Sequence, residues 1–434
     1  MNIDEQVKNR RAIEALRNGV PNRDAVTVLG CNQPDIEEKF RHQLQYTLQS
    51  IREGGKTEGM MVAGDFGTGK SHLLEYLMHL ALEENFVCSK IVISKETPLF
   101  DPSKLYRAAM DTAIVPYTGI ESQIKIKRGN AMTEIATALI PNSQSYADFY
   151  VWINQKAKFN SRFAATLFLY EKMSNDALEF RDRIIRFWSG DKIGSVEIKR
   201  HLRECGEPVT YKIEKIDKKD LALQAFQFTS RLIKAAGYSG WVLLIDEAEL
   251  VGRYSLLQRA KSYAELARWM GKLDEDESHF AGLTTVFAIT DDFQSKILDD
   301  RDDFEKVPNK LRASGLEKDT LLASQAERGM RVIQNDLIPL QPPDKASRDQ
   351  TYEKVKSIYA NAYQWSPPPV ESGERLTSRR MREYVRRWIT EWDLKRLDPD
   401  YIPEIEVTEV DHVYTEDKDL EVESENNETG NLTT

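Results

Sequence analysis

Gly64-Asp65-Phe66-Gly67-Thr68-Gly69-Lys70-Ser71 is the stretch on which the reading of the fold turns. The apolar run Met60-Met61-Val62-Ala63 precedes it and His72-Leu73-Leu74-Glu75-Tyr76-Leu77 follows at once, so a short buried strand turns through glycines into a helix. The spacing is that of a phosphate loop, GxxxxGK[ST]. Gly64, Gly67 and Gly69 let the main chain wrap so that its N–H groups face a phosphate, where a Cβ would obstruct them. The helix that opens beside them adds the positive end of its dipole. Lys70 is then placed to reach the β- and γ-phosphates, and the Ser71 hydroxyl to ligate Mg²⁺. Asp65, Phe66, Thr68 and His72 complete the stretch expected to line ATP, with the His72 ring itself expected on the helix surface.

Working outward, further apolar runs read as strands: 86–94, 241–247, 283–290 and a shorter one at 336–342. They alternate with helical patterns, which predicts an α/β fold with a mainly parallel, covered sheet. Trp241-Val242-Leu243-Leu244-Ile245 carries Asp246 and Glu247 to a strand's carboxyl edge, beside the phosphate loop if the two strands are neighbours. There Asp246 would hold the Mg²⁺ shell, and Glu247 would polarise an attacking water, which requires hydrogen-bond reach. An acid in that place favours water over a substrate hydroxyl as acceptor, so the reaction read from the residues is ATP hydrolysis. No NKxD-like tetrapeptide for reading guanine occurs. Thr290 closes the run 283–290 and is placed to orient the water or sense the γ-phosphate; a plain capping role is the alternative.

Helices are expected at 9–18, from about 35 to 51, and from about 249 to 270. The organisation that follows is a helical segment over 1–52, a core split between 53–95 and 237–343, a helical insertion over 96–236 anchored by Tyr150, Trp152, Phe168, Tyr170 and Trp188, and a helical lid over 344–400. Arg379, Arg380 and Arg382 begin a lid helix after Ser378, a good N-cap. Arg328 and Arg331, ahead of the last strand, are candidates to reach a neighbouring subunit's nucleotide. Trp388 and Trp392 on the basic lid helix suit either a nucleic-acid face or, at i and i+4, a packed one. Lys125, Lys127 and Arg128 form a small basic cluster expected in an exposed loop.

Charge is unevenly placed. Of 60 basic and 70 acidic residues, one and eleven lie from Glu404 onward, leaving 59 of each over 1–403 and the whole net charge of −10 in a tail, 401–434, expected to be disordered. Cys31, Cys88 and Cys205 form no CxxC pair, the histidines no metal-ligand pattern, and the amino terminus no secretory core. No membrane-length apolar run occurs, and the cytoplasm is the simplest location.

The phosphate loop, the Asp246-Glu247 strand end, Thr290 and the arginine-bearing helix occur in the order seen in AAA+ ATPases, and the chain resembles their origin-recognition and replication-initiator clade. Val20-Pro21-Asn22-Arg23 is similar to the Val-Pro-x-Arg-like stretch that lies near the adenine there, which implies Val20 and Arg23 at the base. The resemblance puts Arg379 at the sensor-2 position and Thr290 at sensor 1. More closely, RRAIEALRNGVPNRDAV (10–26), GDFGTGKSHLLEYL (64–77), LLIDEAELVGRYS (243–255) and SRRMREYVRRWITEW (378–392) together resemble the BrxD-like ATP-binding proteins of BREX phage-defence systems. That implies a bacterial or archaeal defence ATPase, a homo-oligomer or hetero-assembly working with other components of its operon and near DNA. Two features depart from initiators: Asp246 lies 176 positions after Lys70, and only the acidic tail follows the lid helices, so DNA contact through a winged helix is not expected. The alternative function is a low-turnover, nucleotide-stabilised scaffold that recruits a helicase, methyltransferase or nuclease.

Overall fold

A computed structural model of the chain describes residues 3–20, 22–53, 57–116, 130–155, 159–173, 178–207, 209–273, 280–370 and 380–402. Pro21, Lys125, Lys127, Arg128, Ser378, Arg379 and the tail beyond Ile402 lie outside them. Five strands form the sheet: β1 (Met60–Ala63), β2 (Phe86–Val92), β3 (Gly240–Asp246), β4 (Leu283–Ile289) and β5 (Leu337–Pro339). They lie in the order β2-β3-β4-β1-β5, and every pairing is parallel. β1, β3 and β4 are buried along their whole length, as near-continuous apolar runs must be when both faces of a sheet are covered. The short β5 ends on Pro339, which an edge strand tolerates. The opposite edge, β2, is partly closed by an antiparallel bridge from Cys88 to Ile114.

Alternation along each strand divides the core in two. Met60, Val62, Val242, Leu244, Val286 and Ala288 face a layer made by α3 (Pro34–Glu53) and α4 (Lys70–Glu83) through Phe40, Leu44, Leu73, Leu74 and Leu77. Met61, Ala63, Leu243, Ile245 and Phe287 face the other side. That side carries α5 (Pro102–Asp111), α11 (Lys218–Ala235), α12 (Leu256–Trp269) and α14 (Glu317–Asn335). Between α5 and α11 the helices α6 (Ala131–Thr137), α7 (Gln144–Gln155), α8 (Ser161–Lys172), α9 (Leu178–Trp188) and α10 (Ser195–Glu204) extend the same core rather than founding a separate one. Aromatic contacts run across the junction: Tyr106 lies edge-on to Phe226 at 4.9 Å and to Trp241 at 6.4 Å, and its hydroxyl hydrogen-bonds the Trp188 carbonyl. Trp188 is itself fully buried, as an anchor should be.

A third core lies outside the sheet. α1 (Ile3–Asn18) and α2 (Arg23–Leu29) pack with α15 (Lys345–Tyr363) and α16 (Met381–Leu397) around Ile13, Tyr359, Ile389 and Trp392. Arg17 pairs with Asp393 at 2.8 Å, and Arg10 Nε donates to the Ala362 carbonyl. The first two helices thus join α15 and α16 while α3 joins the sheet. Trp388 and Trp392 are buried there, and Trp392 Nε1 donates to the Pro368 carbonyl, so the tryptophans serve packing.

Two helix expectations are corrected. The stretch 249–270 is a 3₁₀ helix (Ala248–Arg253) followed by α12, not one helix. The break is held because buried Arg259 captures the Tyr254 carbonyl with Nη1 at 2.7 Å, removing it from any helical ladder. The lid helix begins at Met381 rather than directly after Ser378, with Arg380 as its extended N-cap residue.

Candidate nucleotide site

The loop from Gly64 to Lys70 is built from the main chain up. Gly64 N donates to the Ile289 carbonyl at 3.1 Å, which pins the end of β1 to the end of β4. Thr68 returns both its N–H and its hydroxyl to the Asp65 carbonyl, at 3.3 and 2.7 Å. Gly67 and Gly69 have φ of +76° and +108°, left-handed values that side chains resist, and a Cβ on Gly69 would meet nothing within 4 Å. Its glycine is therefore needed for conformation, not for room among protein atoms. α4 then starts at Lys70.

Lys70 is 8% exposed and donates to the Gly64 carbonyl at 2.7 Å and the Asp65 carbonyl at 3.3 Å, with the Phe66 ring centred 5.1 Å from Nζ. Ser71 stands on the first turn of α4. The His72 ring does not lie free on the helix surface. Its Nε2 is 2.7 Å from the Gly30 carbonyl, so it ties α4 to the turn after α2, and burial lowers its pKa.

The sheet order sets how the acids meet this loop. β3 is not the neighbour of β1; β4 runs between them. Thr290, buried, follows the end of β4, and Asp246, buried, ends β3, so three adjacent strand ends carry Gly64, Thr290 and Asp246 along one carboxyl edge. Asp246 Oδ2 is 3.7 Å from Lys90 Nζ, which also lies 4.0 Å from Glu75. Glu247 has φ +60° and ψ 32°, a left-handed conformation that is uncommon away from glycine and costs on the order of 1–3 kcal/mol. Such strain is retained where the surrounding structure demands it.

At this edge Glu249 escaped the sequence reading of the site, and Arg380, read there only as one of three arginines opening a helix, lies on the loop. Glu249, on the 3₁₀ turn, is 5% exposed and 3.9 Å from Lys70 Nζ. The signal was present as a third acid in Asp246-Glu247-Ala248-Glu249, but spacing alone does not bury it. Arg380 pairs with Asp65 at 3.3 Å, and its Cδ is 3.4 Å from where a Gly67 Cβ would stand. Arg380, at the start of α16, thus lies on the loop; Arg379 is outside the described residues. Arg382 reaches instead to the Asn18 carbonyl and packs over Gly19.

Val20 is 60% exposed at the α1–α2 junction, and Arg23 opens α2, whose N-cap Asn22 accepts from Ala25 N at 2.8 Å. Arg331 is exposed near the end of α14, while Arg328 Nη1 donates to the Lys272 carbonyl at 3.2 Å.

A parallel α/β sheet whose first strand runs into a glycine-rich loop and a helix, with acids and a threonine at the neighbouring strand ends, defines a phosphate-loop protein. The chain belongs to the family of BREX system ATP-binding proteins BrxC/D, which matches residues 5–140 and 153–392. Comparison with curated proteins and with solved structures gives no match. Among the described residues no helix is long and apolar enough to cross a membrane.

Proposed function

We propose that the chain is a Mg²⁺-dependent, ATP-hydrolysing AAA+ switch of a BREX phage-defence system, bacterial or archaeal, whose nucleotide state governs assembly with partner proteins. The carrying observation is that β1, β4 and β3 are adjacent in the sheet, so that the loop leading to Lys70, Thr290 and the Asp246-Glu247 pair follow neighbouring strand ends at one edge. The left-handed glycines, the helix start at Lys70 and its buried ammonium suit a polyphosphate.

In this reading the loop N–H groups and Lys70 hold the β- and γ-phosphates. Ser71 and Asp246 would hold Mg²⁺, a hydroxyl and a carboxylate being the oxygen ligands that a cation shared with phosphates takes. When bound, the metal would offset phosphate charge. Glu247 accepts a proton from the attacking water, and Thr290 orients that water. Arg380 takes the role of the lid cation, leaving Asp65 for the γ-phosphate and drawing α16 toward the loop. Val20 and Arg23 are assigned to the adenine side, and exposed Arg331 to a neighbouring copy. The cytoplasm, and DNA near the assembly, belong to the same proposal.

One observation favours the scaffold alternative, with little turnover until a partner arrives: Asp246 is already paired with Lys90, which competes with a metal for it. Phosphate release measured with wild type and Glu247→Gln, with and without DNA, separates the two. The switch predicts turnover in wild type and almost none in the variant, with ATP still bound. Equal rates would remove Glu247 from its role.

A further inference from the structure

Two buried carboxylates in this protein are treated in opposite ways. Asp303, fully buried at the start of α13 (Asp303–Arg312), accepts from Arg259 Nε and Nη2 at 2.8 and 2.9 Å and from the Tyr263 hydroxyl at 2.8 Å. That is how a carboxylate kept for packing is satisfied. Glu249 is almost as buried, yet beyond its own backbone N–H no hydrogen-bond partner reaches either of its side-chain oxygens. Its ion pair is Lys70, at 3.9 Å, beyond hydrogen-bond length.

Lys70 spends its hydrogen bonds elsewhere, on the Gly64 and Asp65 carbonyls of its own loop. The ammonium that compensates Glu249 is thus the one that the phosphates need. Burial pushes its pKa up to about 7 against the pull of Lys70 and of its own backbone N–H, and the like charges of Glu247 and Asp246 add to the rise.

We infer that Glu249 is the internal counter-ion of Lys70 in the nucleotide-free protein, so that a β-phosphate binds only by taking the ammonium from it. The inference deepens the nucleotide-binding reading and rests on it. Glu249 is a positioning residue that weakens binding: with the ammonium drawn to phosphate, its carboxylate must either stay charged beside the new negative charge or take up a proton, and each costs binding free energy. The effect requires a phosphate that Lys70 can reach, so ADP and ATP feel it and AMP does not.

The test is titration calorimetry of the full chain with AMP, and with ADP and ATP in Mg²⁺, for wild type, Glu249→Gln, Glu249→Asp, Lys70→Ala and the double variant Lys70→Ala/Glu249→Gln. Melting of each nucleotide-free variant reports folding. Glu249→Gln should bind ADP about tenfold more tightly than wild type, the order expected for losing one competing ion pair. AMP affinity should not change, and Glu249→Gln should bring no gain once Lys70 is alanine. Glu249→Asp, which keeps the charge, should stay near wild type. An acid needed only for structure would give lower melting and equal or weaker binding. Wild-type binding of ADP without a gain in a folded Glu249→Gln overturns the inference alone. No binding of ADP or ATP by folded wild type overturns the nucleotide reading and the inference with it.

Discussion

Replacing Glu247 by glycine should leave the protein more stable than replacing it by alanine, while both abolish turnover. The residue sits at φ +60° directly after β3, in the left-handed region. For an L-residue that conformation costs about 1–2 kcal/mol, while glycine escapes the clash but loses about 0.5–1 kcal/mol through the freedom of its unfolded chain. Glycine should therefore exceed alanine here by about 0.5–1 kcal/mol, since both variants lose the same carboxylate from beside Glu249 and only the backbone term differs. At an ordinary helix or strand position the order is reversed by a similar amount, so the sign alone is decisive. Denaturant unfolding followed by tryptophan fluorescence, with Trp241 on the preceding strand as one reporter, measures it, and phosphate release should be lost in both. A Glu247→Ala variant as stable as Glu247→Gly, or more so, would refute the claim that strain is stored at this acid.

The buried network behind the acids yields a second expectation: Asp303→Ala strands the Arg259 guanidinium and should cost about 3–5 kcal/mol in denaturant unfolding, whereas Arg259→Met/Asp303→Leu should cost clearly less. Arg380→Ala removes a partly exposed pair, so its melting temperature should stay near wild type, within about 0.5 kcal/mol of stability, while phosphate release falls at least tenfold; unchanged turnover would free the lid cation from its assigned role. Glu249 also sets a pH dependence. Its folded pKa, raised from 4.5 to about 7, means that the unfolded chain ionises first as pH rises, so stability falls between those values by about 3 kcal/mol and no further above them. Glu249→Gln should lack that slope, read as the difference between the two melting curves across the window.

Much of this was legible in the chain because it was carried by local chemistry. Glycine spacing, the apolar run before it and the helix after it placed β1, the loop and α4, and Asp246 and Thr290 stand at strand ends where apolar runs stop. Strand order was not legible. Nothing in residues 241–247 says that β4 lies between β1 and β3, since neighbours in a parallel sheet are chosen by packing of distant helices. The break at Tyr254 was hidden for a related reason: it depends on a side chain five residues on turning back to a carbonyl. Likewise Glu249 and Arg380 are ordinary charged residues until tertiary contacts bury one and lay the other on the loop. The stretch 96–236 reads as a helical insertion, yet the core of its described helices is continuous with that of the sheet, a continuity that periodicity does not report.

The most direct measurement is calorimetric titration of ATP with Mg²⁺ into folded wild type and into Lys70→Ala. Saturable binding to wild type and none to the variant is the predicted result. Absence of binding to wild type, or equal affinity in the two, would contradict the assignment of the Gly64–Ser71 loop as the seat of the nucleotide.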